Sequence, residues 1–80
     1  SWTDALQVWA DQQLSLGNTG ILNDATPMFE RTMIDIALKH TAGRRRDAAN
    51  LLGWGRNTLT RKIKELGEES EKAAESVDSV

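Results

Sequence analysis

Arg56, Asn57, Thr60, Arg61 and Lys64 share a chemistry and a spacing. Each side chain donates hydrogen bonds, and at about 100° per residue the five fall on a helical arc of roughly 140°. Leu59, Ile63 and Leu66 occupy an adjoining arc of about 60°. A helix buried along one edge and carrying guanidinium, amide and hydroxyl groups on the next is suited to the floor of a DNA major groove. There Arg forks onto guanine O6 and N7, and Asn pairs with adenine N6 and N7. Thr58, Lys62 and the run Arg44, Arg45, Arg46 are placed to hold phosphates, which fix register without reading sequence.

The charge pattern points to the same part of the chain. Ser1–Leu38 carries five acids against Arg31, and Glu65–Val80 carries six acids against Lys72. Between them, Lys39–Lys64 carries eight bases against Asp47 alone, a local charge of +7 hidden inside a net charge of −2. One strongly basic third suggests a localised anionic partner, and the acidic flanks suggest where that partner does not go.

These donors need a scaffold, and the sequence describes one. Helical spacing dominates and strand signals are weak, so an all-α fold is expected. A first helix is read from about Thr3 to Leu16, on the recurrence of Leu6, Trp9, Ala10 and Leu14, with Gly17–Gly20 as the break. A second begins between Asn23 and Pro27, either Asn23 or Thr26 capping it with Pro27 in its first turn, and runs to about Ala42 before Gly43. A third spans Arg44 or Arg45 to Leu52, and a fourth spans Arg56 to Leu66, each closed by a glycine. Two helices joined across Gly53-Trp54-Gly55 form a helix-turn-helix arrangement over residues 44–66. The small Ala48 and Ala49 allow close helix crossing, Gly53 supplies the turn, and Trp54 packs beneath it. Leu51, Leu52, Leu59, Ile63 and Leu66 give the pair its apolar side. Residues 68–80, rich in Glu, Ser and Ala, are expected to form an acidic, solvated and disordered tail.

The second helix is too apolar for one contact. Phe29, Met33, Ile36, Ala37 and His40 make one stripe, and Ile34, Leu38 and Thr41 make another. One stripe serves the third and fourth helices. The other serves either the first helix folding back or a symmetry-related copy, with Leu6, Trp9, Leu14, Phe29, Met33 and Ile36 at the interface of a four-helix bundle. Size favours the copy, because an 80-residue chain buries only about 60% of its unfolded surface.

Other chemistries find little support. There is no Cys for a disulfide, thiolate site or thiol nucleophile, and the lone His40 reads as a helix-end packing or solvent residue. No apolar run has membrane-spanning length, no signal-peptide pattern opens the chain, and no carboxylate pair sits in apolar surroundings. No enzyme and no cofactor are therefore expected. Trp2 and Trp9 read as bundle packing, and the glycines flanking Trp54 as turn chemistry rather than a phosphate cradle.

The stretch E-R-T-M-I-D-I-A-L-K-H-T-A-G, followed by A-A-N-L-L-G-W-G-R-N-T-L-T-R-K-I-K-E-L-G, closely resembles the Fis-type helix-turn-helix family. The likeness is tight from Phe29 to Gly67 and looser over residues 1–28; nothing is carried over to Glu68–Val80. It implies a four-helix domain, residues 1–67, with dimerisation helices in 1–42 and a helix-turn-helix in 44–66. By position, Arg56, Asn57 and Arg61 match the family's base-reading residues, and Thr58, Thr60 and Lys62 its backbone contacts. Arg44, Arg45, Arg46 and Lys64 are expected to join the latter. The likeness further implies a homodimer on two-fold symmetric DNA, with closely held recognition helices and hence DNA bending. Such domains serve sigma-54-dependent activators, here of nitrogen-regulated genes. They follow receiver and ATPase domains and work with sigma-54 RNA polymerase in the bacterial cytoplasm, at the nucleoid. This chain lacks the G-x-x-x-x-G-K-[ST] loop of such an ATPase, so it reads as the DNA-binding part of a longer protein, residues 1–3 being linker. The alternative is a helical dimerisation module whose basic helix docks on an acidic protein; RNA binding fits poorly without an aromatic-bearing sheet.

Overall fold

The computed structural model describes the backbone of residues 1–78 and the side chains of residues 1–67. Four helices follow in order, α1 (Trp2–Ser15), α2 (Leu22–His40), α3 (Arg45–Leu52) and α4 (Arg56–Asp78), with no strand among the described residues.

The α1 helix is capped by Ser1, whose hydroxyl accepts from the Asp4 N–H at 3.4 Å. It then contributes no buried residue. Its one ring contact with the rest of the fold is Trp2 stacked on Phe29, with centroids 6.0 Å apart. Further along α1, Trp9, Ala10 and Gln13 are half-buried. Leu6 and Leu14 stay exposed, as do Phe29, Met33 and Ile36 on α2.

The α2 helix begins at Leu22, earlier than cap chemistry suggests. Neither Asn23 nor Thr26 caps it, and Pro27 lies inside the helix, beyond the first turn. Its opening turn closes instead on backbone carbonyls, Asn23 N–H to Gly20 at 2.9 Å and Ala25 N–H to Ile21 at 2.9 Å. Asp24 stands in the first turn, where a carboxylate favours the helix dipole.

The helix ends at His40, two residues before the expected Ala42. Gly43 N–H reaches back to the Leu38 carbonyl at 2.8 Å and Ala42 N–H to that of Lys39 at 3.4 Å, the pairing of a Schellman stop. The left-handed position of that stop is Ala42, at φ 54°. Thr41, buried in the corner, places its hydroxyl 3.0 Å from the Ala37 carbonyl and 3.1 Å from that of Arg44. One side chain thereby ties the end of α2 to the start of α3.

The core lies between α2, α3 and α4. Ile34 and Ala37 from α2, Ala48 and Ala49 from α3, and Leu59 and Leu66 from α4 are buried, with Leu38, Leu52, Trp54 and Ile63 packed around them. Ala37 therefore belongs to the core stripe with Ile34 and Thr41, on an i, i+3, i+7 line, and not with Phe29 and Met33. His40 is exposed. Leu51 is also exposed, a departure from its expected place. It lies roughly 100° around α3 from Leu52, beyond the edge that α4 covers.

The α4 helix does not stop at Gly67. That glycine lacks the positive φ of a helix stop, and the backbone continues helically to Asp78. The Glu, Lys and Ala residues that follow are strong helix formers. The expected solvation of the acidic tail concerns side chains outside the described residues.

Ala42 offers a test of this account. A left-handed φ costs an L-residue about 1–2 kcal/mol, partly offset in glycine by its unfolded-state entropy. Ala42→Gly is expected to stabilise the fold by about 0.5–1 kcal/mol in urea unfolding. Gly53→Ala should destabilise by at least about 1 kcal/mol, because Gly53 sits at φ 78°; the open space around a Cβ there means the cost is one of backbone conformation and not of a clash.

Candidate nucleic-acid interface

The interface is built from the turn outward. α3 ends on Gly53 in the left-handed region, and Trp54 N–H bonds the Ala49 carbonyl at 2.9 Å, closing the turn. Gly55 then leads into α4, its carbonyl accepting from Leu59 N–H at 3.2 Å. Across this turn Leu59 is driven to 0% exposure against Ala48 and Ala49. Burying a Leu side chain of that kind contributes about 1.5–3 kcal/mol. It also fixes which edge of α4 is left outside.

That outer edge carries the donors. Arg56, Asn57, Thr60, Arg61 and Lys64 are all exposed, on the arc adjoining that of Leu59 and Leu66. Among the described residues, none of Arg56, Arg61 and Lys64 forms an ion pair. Thr58 lies beyond the arc and is half-buried.

Lys62, read from the sequence as a phosphate-side residue, makes a contact within the fold. It is half-buried and turned toward α2, where its Nζ meets Glu30 Oε2 at 3.0 Å. Beside it, Arg31 Nη2 donates to the Leu66 carbonyl at 3.2 Å. Local spacing does not mark Glu30 and Arg31 as partners of α4, since each pairing crosses more than thirty residues of chain.

The α3 N-terminus adds a second basic surface. Arg44 sits at the cap position with no side-chain cap, its Nε donating to the Thr41 carbonyl at 3.0 Å and pairing with Asp47 at 3.1 Å. Arg45 and Arg46 follow in the first turn, exposed and without an ion pair among the described residues. Cations at this end oppose the helix dipole by about 0.3–1 kcal/mol each. Uncapped N–H groups and arginines at the positive end of a helix together suit an anion. No cluster of metal-ligating side chains occurs among the described residues.

A short helix and a longer one, crossing over two alanines and joined by a glycine turn, define a helix-turn-helix domain of the all-α class. Residues 26–66 match the family of bacterial regulatory proteins of the Fis type, and the chain belongs to that family. It is 61% identical over 66 residues to the DNA-binding transcriptional regulator NtrC of Proteus hauseri, covering 82% of this chain and 14% of the relative. To the DNA-binding transcriptional regulator NtrC of Escherichia coli K12 it is 55% identical over 69 residues, covering 86% of this chain and 15% of that one. The chain thus spans a small fraction of the length of the curated relatives it matches. Among solved structures it resembles the solution structure of the DNA-binding domain of NtrC with three alanine substitutions. That likeness has a TM-score of 0.63 at 50% identity, over 85% of this chain and 75% of the other.

The dipole argument predicts an opposition between stability and binding. Arg45→Glu is expected to stabilise the free domain by about 0.3–1 kcal/mol in urea unfolding while weakening its hold on any polyanion. A loss of stability would show that the arginine is serving the fold.

Proposed function

We propose that this domain binds double-stranded DNA in a sequence-dependent manner, as a homodimer, and recruits a longer activator to its sites. The observation that carries this reading is the outer edge of α4. Two guanidinium groups and an amide stand exposed beside a leucine that is wholly buried. Arg56, Asn57 and Arg61 read base edges. Arg44, Arg45, Arg46, Thr58, Thr60 and Lys64 hold the phosphate backbone. The DNA-binding description of the NtrC relatives supports the same ligand.

The exposed apolar side chains supply the argument for a dimer. Leu6, Leu14, Phe29, Met33 and Ile36 all remain in solvent in the single chain, and α1 with them adds nothing to the core. A second copy related by a two-fold axis would bury both sets at once and present two recognition helices to a symmetric site. The likeness to NtrC extends the proposal to an enhancer-binding role in a sigma-54-dependent activator of nitrogen-regulated genes. Receiver and ATPase domains elsewhere in such a protein, and sigma-54 RNA polymerase, are then its functional partners. DNA as ligand places the protein in the bacterial cytoplasm, at the nucleoid; no helix among the described residues is long and apolar enough to cross a membrane.

Binding should fall steeply as salt rises, because phosphate contacts release condensed counterions. Arg56→Ala and Arg61→Ala should each cost about 1–3 kcal/mol on a selected duplex and relax base preference at one position. An equal loss on random duplex would refute base reading by these residues, and absence of any retardation at low salt would favour an acidic protein partner instead. Equilibrium sedimentation with and without a short palindromic duplex is expected to report two chains in both cases. Ile36→Glu should shift the free protein to one chain.

A further inference from the structure

Lys62 stands apart from the other bases of α4. Its Nζ lies 3.0 Å from Glu30 Oε2, 3.3 Å from Glu30 Oε1 and 4.0 Å from Glu65 Oε2. The Lys62 and Glu30 side chains keep only 26% and 15% of their exposure. On the helical wheel Lys62 lies about 100° past Arg61, off the donor arc. A phosphate approaching this ammonium would meet two carboxylates first. Its neighbour in the fold makes a second link, Arg31 Nη2 to the Leu66 carbonyl at 3.2 Å. The two attachments start from consecutive residues of α2 and land four residues apart on α4. Leu59 decides which edge of α4 faces in, but a single link would still leave the helix able to roll by a few degrees over the smooth surface of Ala48 and Ala49. Two links at different heights along the helix remove that freedom.

We propose that Lys62 is a positioning residue and not a phosphate contact. The Glu30–Lys62 pair, together with the Arg31 link, sets the roll of α4 against α2 so that Arg56, Asn57 and Arg61 face outward together. The inference rests on the DNA reading for its functional consequence, but its geometric content stands without DNA. The effect on binding is selective. A helix rolled by a few degrees still attracts phosphates, yet no longer aligns its guanidinium forks with base edges.

Three variants and two readouts decide it. Glu30→Gln removes the pair while keeping every positive charge, Lys62→Met removes it from the other side, and the exchanged pair Glu30→Lys with Lys62→Glu restores it reversed. On a duplex selected from a random pool by the unmodified chain, each single variant is expected to bind about fivefold more weakly, the scale of a partly exposed ion pair. Random duplex should bind as before, the combination of Glu30→Gln with Lys62→Met should be no weaker than the worse single variant, and the exchanged pair should recover most of the loss. The salt dependence with Lys62→Met should match the unmodified chain. A phosphate role gives the opposite pattern and overturns the proposal. Lys62→Met would then weaken selected and random duplex alike and flatten the salt slope by about 0.9 per lost contact, while Glu30→Gln would bind equally or more tightly. Should Lys62→Met melt below the assay temperature, Glu30→Gln carries the decision alone, since a phosphate role predicts no loss for it. Residual dipolar couplings of the DNA-free protein form the second readout. Amides of residues 56–66 should reorient relative to residues 22–40 in Glu30→Gln, and an unchanged orientation overturns the proposal. A chain that retards no duplex refutes the DNA reading instead, with the couplings still deciding the geometry.

Discussion

Where α4 crosses α3, the two helices meet over Ala48 and Ala49, both essentially without exposed surface, and Leu59 fills the space between them. Methyl groups at 48 and 49 set how near the helices come, and the leucine sets which way α4 is turned. The other positions of α4 follow from that choice by helical geometry. Three residues back, Arg56 stands about 60° round the helix, at the near end of the outward arc; two turns on, Leu66 has to face in against α2. The donor arc is therefore a consequence of the packing and not an independent feature of the surface. Enlarging either alanine would force the helices apart, and the disturbance would reach every donor at once.

So small a core leaves the rest of the fold to polar links. Leu59 is the only large side chain fully buried among the described residues. Around it, Thr41 ties the α2–α3 corner through backbone carbonyls, and Arg31 and Lys62 tie α4 to α2. Each of these bonds adds a directional restraint between segments that apolar packing has already brought together. Apolar burial is non-directional, whereas a hydrogen bond weakens steeply once its geometry is lost. The division suits a domain that has to present a rigid edge from very little interior. Against this background the arginines at the head of α3 are conspicuous. They oppose the local dipole and strengthen no described contact apart from the Arg44 interactions. A local conflict of that sort is what the proposed phosphate contacts would account for.

What the sequence made legible was the part governed by short-range rules. Helical periodicity located all four helices, Gly53 announced the turn, and the wheel separated Leu59 and Leu66 from Arg56, Asn57 and Arg61. The errors fall where local rules meet competing effects. Gly67 looked like a stop, but a glycine ends a helix only by going left-handed, and this one does not. Ala42, which no rule would choose for that conformation, ends α2 instead, because Thr41 and Gly43 hold the corner around it. Pro27 was placed in a first turn that in fact closes upstream on Gly20 and Ile21. The ion pair of Lys62 was not foreseen, since nothing local distinguishes this residue from its basic neighbours. Its carboxylate partner lies a helix away, and pairings across such a distance leave no periodic trace.

The same remoteness explains why α2 matters more than its composition suggests. Its core side, Ile34, Ala37 and Thr41, faces the helix-turn-helix, and Phe29, Met33 and Ile36 emerge roughly 120° around the cylinder, in solvent. Glu30 and Arg31 rise from this helix to hold α4. In the proposed dimer one straight element would therefore carry both the partner surface and the links that orient the reading edge. The separation of two recognition helices would then be set by the stiffness of α2 and the roll fixed at Lys62, with no flexible segment between them. A short connection of this kind transmits geometry because each contact along it is either close-packed or directional.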